Sequence, residues 1–465
     1  MTEREAPLWA GRFTKAPAPE AEALSKSLGF DLRMATQDVR ASVAHVRGLE
    51  DAGLLSEAEA NALASALIEV GKDIEAGRMA FRPADEDVHS VVERAVTDRL
   101  GALGAKLHAG RSRNDLVVTD LRLWLLDAWA RIEGGTRRLA RALITHAREH
   151  AETVMPGMTH GRLAQPVTLG HHLLAHAWAL SRDLDRLRGW AERTSVSPLG
   201  AGALATPTLP LDPARSAERL GFRGVFSNSL DAVSDRDFVQ EFLAHAAILG
   251  THLSRLAADL IRWSDESIGW AELDEAFSTG SSMMPQKRNP DIAELSRAKV
   301  GRLLGDFTAL STVLAGLPLG YHRDLQEDKE PLFDAADTLE ATLAALAGCT
   351  ETIQFRPGVM CAAARADVLY ATDVAEALAA NGLPFREAHR RIGDLLRRLD
   401  EEDRSLRDLS EAEWKEIGLP GGNVLLDPVR AVGARSVPGG PSPGSVRDQA
   451  DALARILEGL DTLSP

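Results

Sequence analysis

The stretch VVTDLRLWLLDAWARIEGGTRRLARALI, residues 117–144, contains no proline, and none occurs anywhere between Pro83 and Pro156. Within it Val117, Leu121, Trp124, Leu125, Ala128, Ile132, Leu139 and Leu143 recur at helical spacing. An apolar stripe of that period predicts one amphipathic helix, far longer than the roughly 10–14 residues usual in globular proteins. A second stripe, Phe238, Phe242, Ala246, Leu249, Leu253, Leu256 and Leu260, steps by three or four, and Ser234 with Asp237 has the pattern of a capping box ahead of it. Amphipathic runs also cover Val167–Arg193, Asp291–Ala315 and Pro331–Thr350. Such a succession predicts an all-α fold built on a central bundle of long helices. Stripes of this length expose more apolar surface than one subunit covers, so self-association is expected.

The flanking regions read differently. Residues 1–112 mix short helical patterns with turns such as FRPADEDVH, and beyond about Ala362 the loops GLPGGN and SVPGGPSPGS interrupt shorter runs. The expected domains are therefore 1–112, a mostly helical N-terminal unit; 113–362, the bundle and assembly unit; and 363–465, a small helical C-terminal unit.

Composition narrows the function. The chain has 465 residues, 45% hydrophobic but only 5% aromatic, which favours packed helices over sandwiches. Its 68 acidic and 53 basic side chains leave a net charge of -15, which argues against nucleic acid as a bulk partner. Cys349 and Cys361 cannot make a disulfide framework. The opening MTEREAPLWAGRF has no apolar signal core, and no run of 18 apolar residues suggests a membrane span. A cytoplasmic, water-soluble protein is expected. SPLGAGALATP lacks dinucleotide-fingerprint spacing, no GKS or GKT phosphate loop occurs, and no cofactor is expected.

Four polar clusters punctuate the helices: GRSRND (110–115), MPGMTHGRLAQP (155–166), STGSSMMPQKRNPD (278–291) and GYHRDLQEDKE (320–330). Helix N-termini attract anions, and Arg111, Arg113, Lys287, Arg288, Arg323 and Lys329 add cations in an otherwise acidic chain. Helix ends collect such residues without any function; four clusters of one kind instead suit a small substrate with several carboxylates. His160 is the acid–base candidate among them. His172 and His176, and likewise His146 and His150, share i, i+4 spacing, but neither pair shows a third ligand or an HExxH pattern, so no metal is expected. No GxSxG elbow surrounds Ser281 or Ser282; a serine here could still act as a base if N–H groups and cations stabilised its alkoxide.

GSSMMPQKRNP resembles the signature loop of the fumarase/aspartase superfamily, and LWAGRF, KLHAGRSRND, MPGMTH with AQP, SLDAVSDRDF and LPLGYHRDLQEDKE are similar, in order, to argininosuccinate lyases. The resemblance runs from about Leu8 to the C-terminal GGPSP. It implies a three-domain all-helical subunit in a homotetramer, with active sites shared between subunits. The implied reaction is reversible elimination of argininosuccinate to arginine and fumarate, a step of arginine biosynthesis and the urea cycle. Ser281 is then the base and His160 the acid side, roles also assigned in reverse within the superfamily. Lys287 and Asn289 would bind the carbanion's carboxylate, and Glu294 would pair with His160. Substrate anchoring falls on Ser27, Arg113, Asn114, Thr159, Tyr321, Gln326 and Lys329, with Asp87 and His89 in support. The chain departs from the family at Ala109, Leu116, Met158, Gly161, Arg162 and Leu163. A sister lyase acting on adenylosuccinate, or a non-catalytic crystallin-like structural protein, are the alternative readings.

Overall fold

The computed structural model describes residues 17–461; the LWAGRF segment lies outside them. The 117–144 stripe sits in one uninterrupted helix, Arg113–Glu149. It is preceded by helices Ala35–Asp51 (α1), Glu57–Glu75 (α2) and Val88–Leu100 (α3), so the long helix is α4. The bundle continues with Leu169–Thr194 (α5), Asp237–Ser264 (α6), Asp291–Leu314 (α7) and Lys329–Thr352 (α8). All five expected long segments are present.

Caps and breaks are local chemistry. Ser112 caps α4: its Oγ accepts from Asn114 N at 3.2 Å, and Asp115 Oδ1 accepts from Ser112 N at 3.0 Å, which explains why SRND opens this helix. The expected capping box at Ser234 is absent. Arg236 occupies the cap of α6, and Asp235 Oδ1 accepts from Asp237 N at 2.6 Å instead. Ser234 ends a short preceding helix, where its Oγ donates to Leu230 O at 2.6 Å and accepts from Gly320 N at 2.7 Å. Residues 154–168 are a second departure from helix periodicity. They form an antiparallel hairpin, Val154–Thr159 (β1) with Arg162–Thr168 (β2), bulged between Pro156 and Met158.

Contacts along the bundle set its direction. Arg122 Nη1 reaches Thr194 O at 2.9 Å, so the start of α4 meets the end of α5. Trp190 Nε1 donates to Phe238 O, Ser254 Oγ to Arg297 O, and Arg131 pairs with Glu340. Thus α5 and α7 run antiparallel to α6, while α4 and α8 run together. The bundle core contains Leu121, Leu125, Ile132, Leu143, Leu174, Phe242, Leu253 and Leu339, all nearly inaccessible to solvent. A separate apolar core joins α1, α2 and α3, and a third spans Leu369 to Ala431. The C-terminal helix Pro443–Asp461 (α9) packs elsewhere than its sequence neighbours. Its Val446, Ala450, Leu453 and Leu457 enter the bundle core, and Arg137 Nη1 donates to Leu457 O at 2.7 Å. Among the described residues, no helix is long and apolar enough to cross a membrane.

Candidate active site

The candidate residues collect at two opposite poles of the bundle. At about 1.5 Å per residue, a 37-residue α4 separates these poles by about 55 Å. The first pole holds Ser27, Asp87, His89, Arg113, Asn114, Tyr321, Gln326 and Lys329, gathered where α4 and α8 begin. The second holds Thr159, His160, Ser281, Lys287, Asn289 and Glu294, where α4 ends and α7 begins.

At the first pole, Arg113 Nη1 lies 3.0 Å from Asp87 Oδ2 and 3.7 Å from Glu86. Asn114 Nδ2 donates to Ala203 O at 3.0 Å. Ser27 is buried and donates to Asp31 Oδ2 at 2.6 Å, while Asp31 Oδ1 accepts from Val88 N. His89 Nδ1 sits 2.5 Å from Asp38 and 3.5 Å from Asp120, with all three side chains buried. Burial works against a charge on His89, but Asp38, Asp87 and Asp120 outweigh it and lift its pKa to about 9. Burial, reinforced by the Asp38 charge, pushes the Asp120 carboxyl up, and the neighbouring His89 opposes that rise. Gln326 and Lys329 are buried as well. Lys329 Nζ donates to Asp328 at 2.8 Å, and Arg236 engages the same carboxylate from the other side. Burial opposes the Asp328 charge; the two cations prevail and keep it below its ordinary range. Tyr321 packs, partly buried, against the bundle core.

At the second pole, His160 and Gly161 form the two-residue tip of the β1–β2 hairpin, with φ of +53° and +72°, and Thr159 pairs with Arg162. Two successive positive φ values match the tight turn that suits a twisted hairpin. Glycine at 161 meets this demand, and a Cβ there would touch nothing. His160 stands exposed at the tip. The GSS loop is closed by two short strands, Thr279–Gly280 (β3) and Arg288–Asn289 (β4), paired antiparallel. Between them Ser281 Oγ accepts from Met283 N at 3.2 Å and from Met284 N at 3.0 Å. Lys287 is exposed on the same loop, and Met283 is 87% exposed. Arg288 is tied down by Glu272 and Glu275. Glu294 lies one turn into α7 and is exposed, with no hydrogen bond or ion pair to His160.

Asp31, Asp38, Asp120, Asp328 and Arg236 escaped the sequence reading, yet they hold the first pole's polar groups. A signal did exist: Asp120 interrupts the apolar run VVTDLRLWLL, where a charge without a partner would be costly. The reading also found no third ligand for His172 and His176. The structure brings Asp259 Oδ2 to 2.8 Å from both rings.

Residues 11–305 match the family described as Lyase, and residues 368–432 that described as Argininosuccinate lyase C-terminal. The argininosuccinate lyase of Frankia casuarinae is 50% identical over 456 residues, 97% of this chain and 98% of that protein. That of Symbiobacterium thermophilum is 47% identical, with 97% and 98% covered. Among solved structures, EDDS lyase in complex with formate superposes with a TM-score of 0.85 at 29% identity, covering 97% of this chain and 92% of the other. Class II fumarase from Schistosoma mansoni, at 16% identity, gives 0.74 with 85% and 90% covered, and so shares the fold.

Proposed function

Because the chain belongs to the argininosuccinate lyase family and converts argininosuccinate reversibly to arginine and fumarate, we propose that its two poles divide the labour of that elimination. The loop pole does the proton chemistry. Ser281 removes the proton beside a substrate carboxylate, Lys287 and Asn289 hold the doubly charged aci-carboxylate, and His160, backed by Glu294, delivers a proton as the guanidino group departs. The other pole binds: Ser27, Arg113, Asn114, Tyr321, Gln326 and Lys329, with Thr159 from the hairpin, hold carboxylates and the guanidinium, and Asp87 and His89 brace them.

The observation that carries this reading is the pair of backbone N–H groups aimed at Ser281 Oγ. Donors already oriented toward an oxygen favour its charged form, so they lower the cost of the alkoxide a serine base requires. A complete site then needs poles of different subunits, because about 55 Å of helix separates them in one chain. We assign a homotetramer to this protein on that ground, and on the apolar face of α7, where Leu295 and Leu304 are 59% and 49% exposed. A cytoplasmic location accords with the net charge of -15 and the free Cys349 and Cys361.

Incubation with argininosuccinate should release arginine and fumarate in equal amounts, followed by fumarate absorbance. Fumarate formed from adenylosuccinate but not from argininosuccinate would transfer the chain to the sister activity. A folded tetramer releasing no fumarate from either would support the crystallin-like reading.

A further inference from the structure

We propose that His172, His176 and Asp259 form a binding site for one divalent transition-metal ion of the zinc or cobalt kind, clamping α5 to α6 beside the root of the β1–β2 hairpin. His172 and His176 lie one turn apart on α5, their ring centroids 5.8 Å apart. Asp259 projects from antiparallel α6, and its Oδ2 lies 2.8 Å from both Nε2 atoms. The three candidate ligand atoms all fall within 4.8 Å of one another. Two imidazoles and one carboxylate are a donor set that suits first-row divalent ions.

The surroundings favour occupancy by an ion with open positions. The three side chains are 32%, 14% and 29% exposed and line a cleft of about 720 Å³, so water or an anion can complete the coordination. The His172 ring is steadied edge-on against Trp263 at 5.0 Å. Metal–ligand bonds of about 2.0–2.1 Å require the N···O separations to widen by about half an ångström, which partly exposed side chains allow. Each histidine would then carry its proton on Nδ1 and ligate through Nε2. Arg182, Arg255 and Arg262 also line the cleft, so the open positions would take an anion or hydroxide. His252 lines it too but is engaged by Asp183 at 2.6 Å.

A second cluster, His146, Glu149 and His150, is less suited. His146 Nε2 is committed to Thr350 O at 2.8 Å, and His150 Nδ1 to Thr153 Oγ1 at 3.1 Å. It serves as the control. The cleft wall includes Met155 to Met158 of β1, the strand that leads to Thr159 and His160, so a bound ion would stiffen the root of that hairpin.

The test uses the untagged native assembly, stripped with a chelator and titrated with Co²⁺. Expected are one ion per chain, a visible d–d band, a raised Tm, and a cobalt-edge absorption spectrum containing two imidazoles. Asp259→Asn and His176→Asn should each weaken binding by about tenfold or more, with circular dichroism and native mass showing the fold intact. The double variant His146→Asn/His150→Asn should retain the band. Folded wild type taking up no Co²⁺ at millimolar concentration would leave only a carboxylate clamped by two imidazoles. A cobalt shell without imidazole, or a band undiminished in both ligand variants, would equally overturn the site.

Discussion

At the level of single residues, the chemistry rests on how few groups hold each reactive atom. Ser281 Oγ accepts from two backbone N–H groups, and among the described residues no basic side chain hydrogen-bonds to it. If Ser281 is the base, as proposed, Ser281→Ala abolishes turnover while argininosuccinate binding survives within roughly tenfold, because a base oxygen works in the transition state and adds little to ground-state affinity. An alanine enzyme keeping more than about a tenth of wild-type turnover would remove Ser281 from the base role. His89 makes a different prediction. Its pKa is raised to about 9, against about 6.5 unfolded, so the folded state binds the extra proton. Its contribution is present in full below about pH 6.5 and is lost as pH rises through 9, and the raised Asp120 acts in the same direction. Tm should fall across that window, by the equivalent of a few kcal/mol at most, and His89→Gln should flatten the slope. A variant profile parallel to wild type would contradict a protonated His89. Nothing in the sequence foretold that charge, since Asp38 and Asp120 approach His89 from α1 and α4.

The same contrast holds for elements. Long helices were legible because a 3.6-residue period repeated over many turns leaves little ambiguity, whereas their caps were not: the box expected at Ser234 and Asp237 is absent, and the one that opens α4 at Ser112 and Asp115 was not read. The β1–β2 hairpin was not legible: its strands are short, Pro156 and Pro166 obscure the alternation, and only the tip residues His160 and Gly161 hint at a two-residue turn. The root of the GSS loop was hidden as well. Phe277 packs over Gly348 of α8 so closely that a Cβ there would lie 2.4 Å from the ring. Gly348→Ala must therefore displace Phe277, at a cost of about 1–3 kcal/mol, and with it the strand that positions Ser281. Turnover should fall about tenfold, and the double variant Gly348→Ala/Phe277→Leu should recover part of it by returning space. Wild-type turnover in Gly348→Ala would mean that the loop is not anchored at this contact.

Over the whole molecule, sequence pattern yielded the bundle but could not say which motifs meet. Motifs far apart in sequence, such as Ser27, Arg113 and Gln326, converge at one pole, while Arg113 and Ser281 stand at opposite ends of the bundle. The length of α4 forces that separation, and it makes shared sites testable without a structure of the assembly. Arg113→Gln damages the binding pole, and Ser281→Ala the loop pole. Each pure parent carries its lesion in every site and should be inactive. After reversible dissociation and mixing in equal amounts, a site drawing its poles from different subunits escapes both lesions in about a quarter of random combinations. Activity should then return toward about a quarter of wild type, rising with the fraction of hybrids and absent when the parents are mixed without dissociation. If each site were built within one chain, every site in a hybrid would still carry one lesion. Hybrids verified by native mass that release no fumarate would therefore exclude the shared site, and the two poles would have to be brought together by some rearrangement within a single chain.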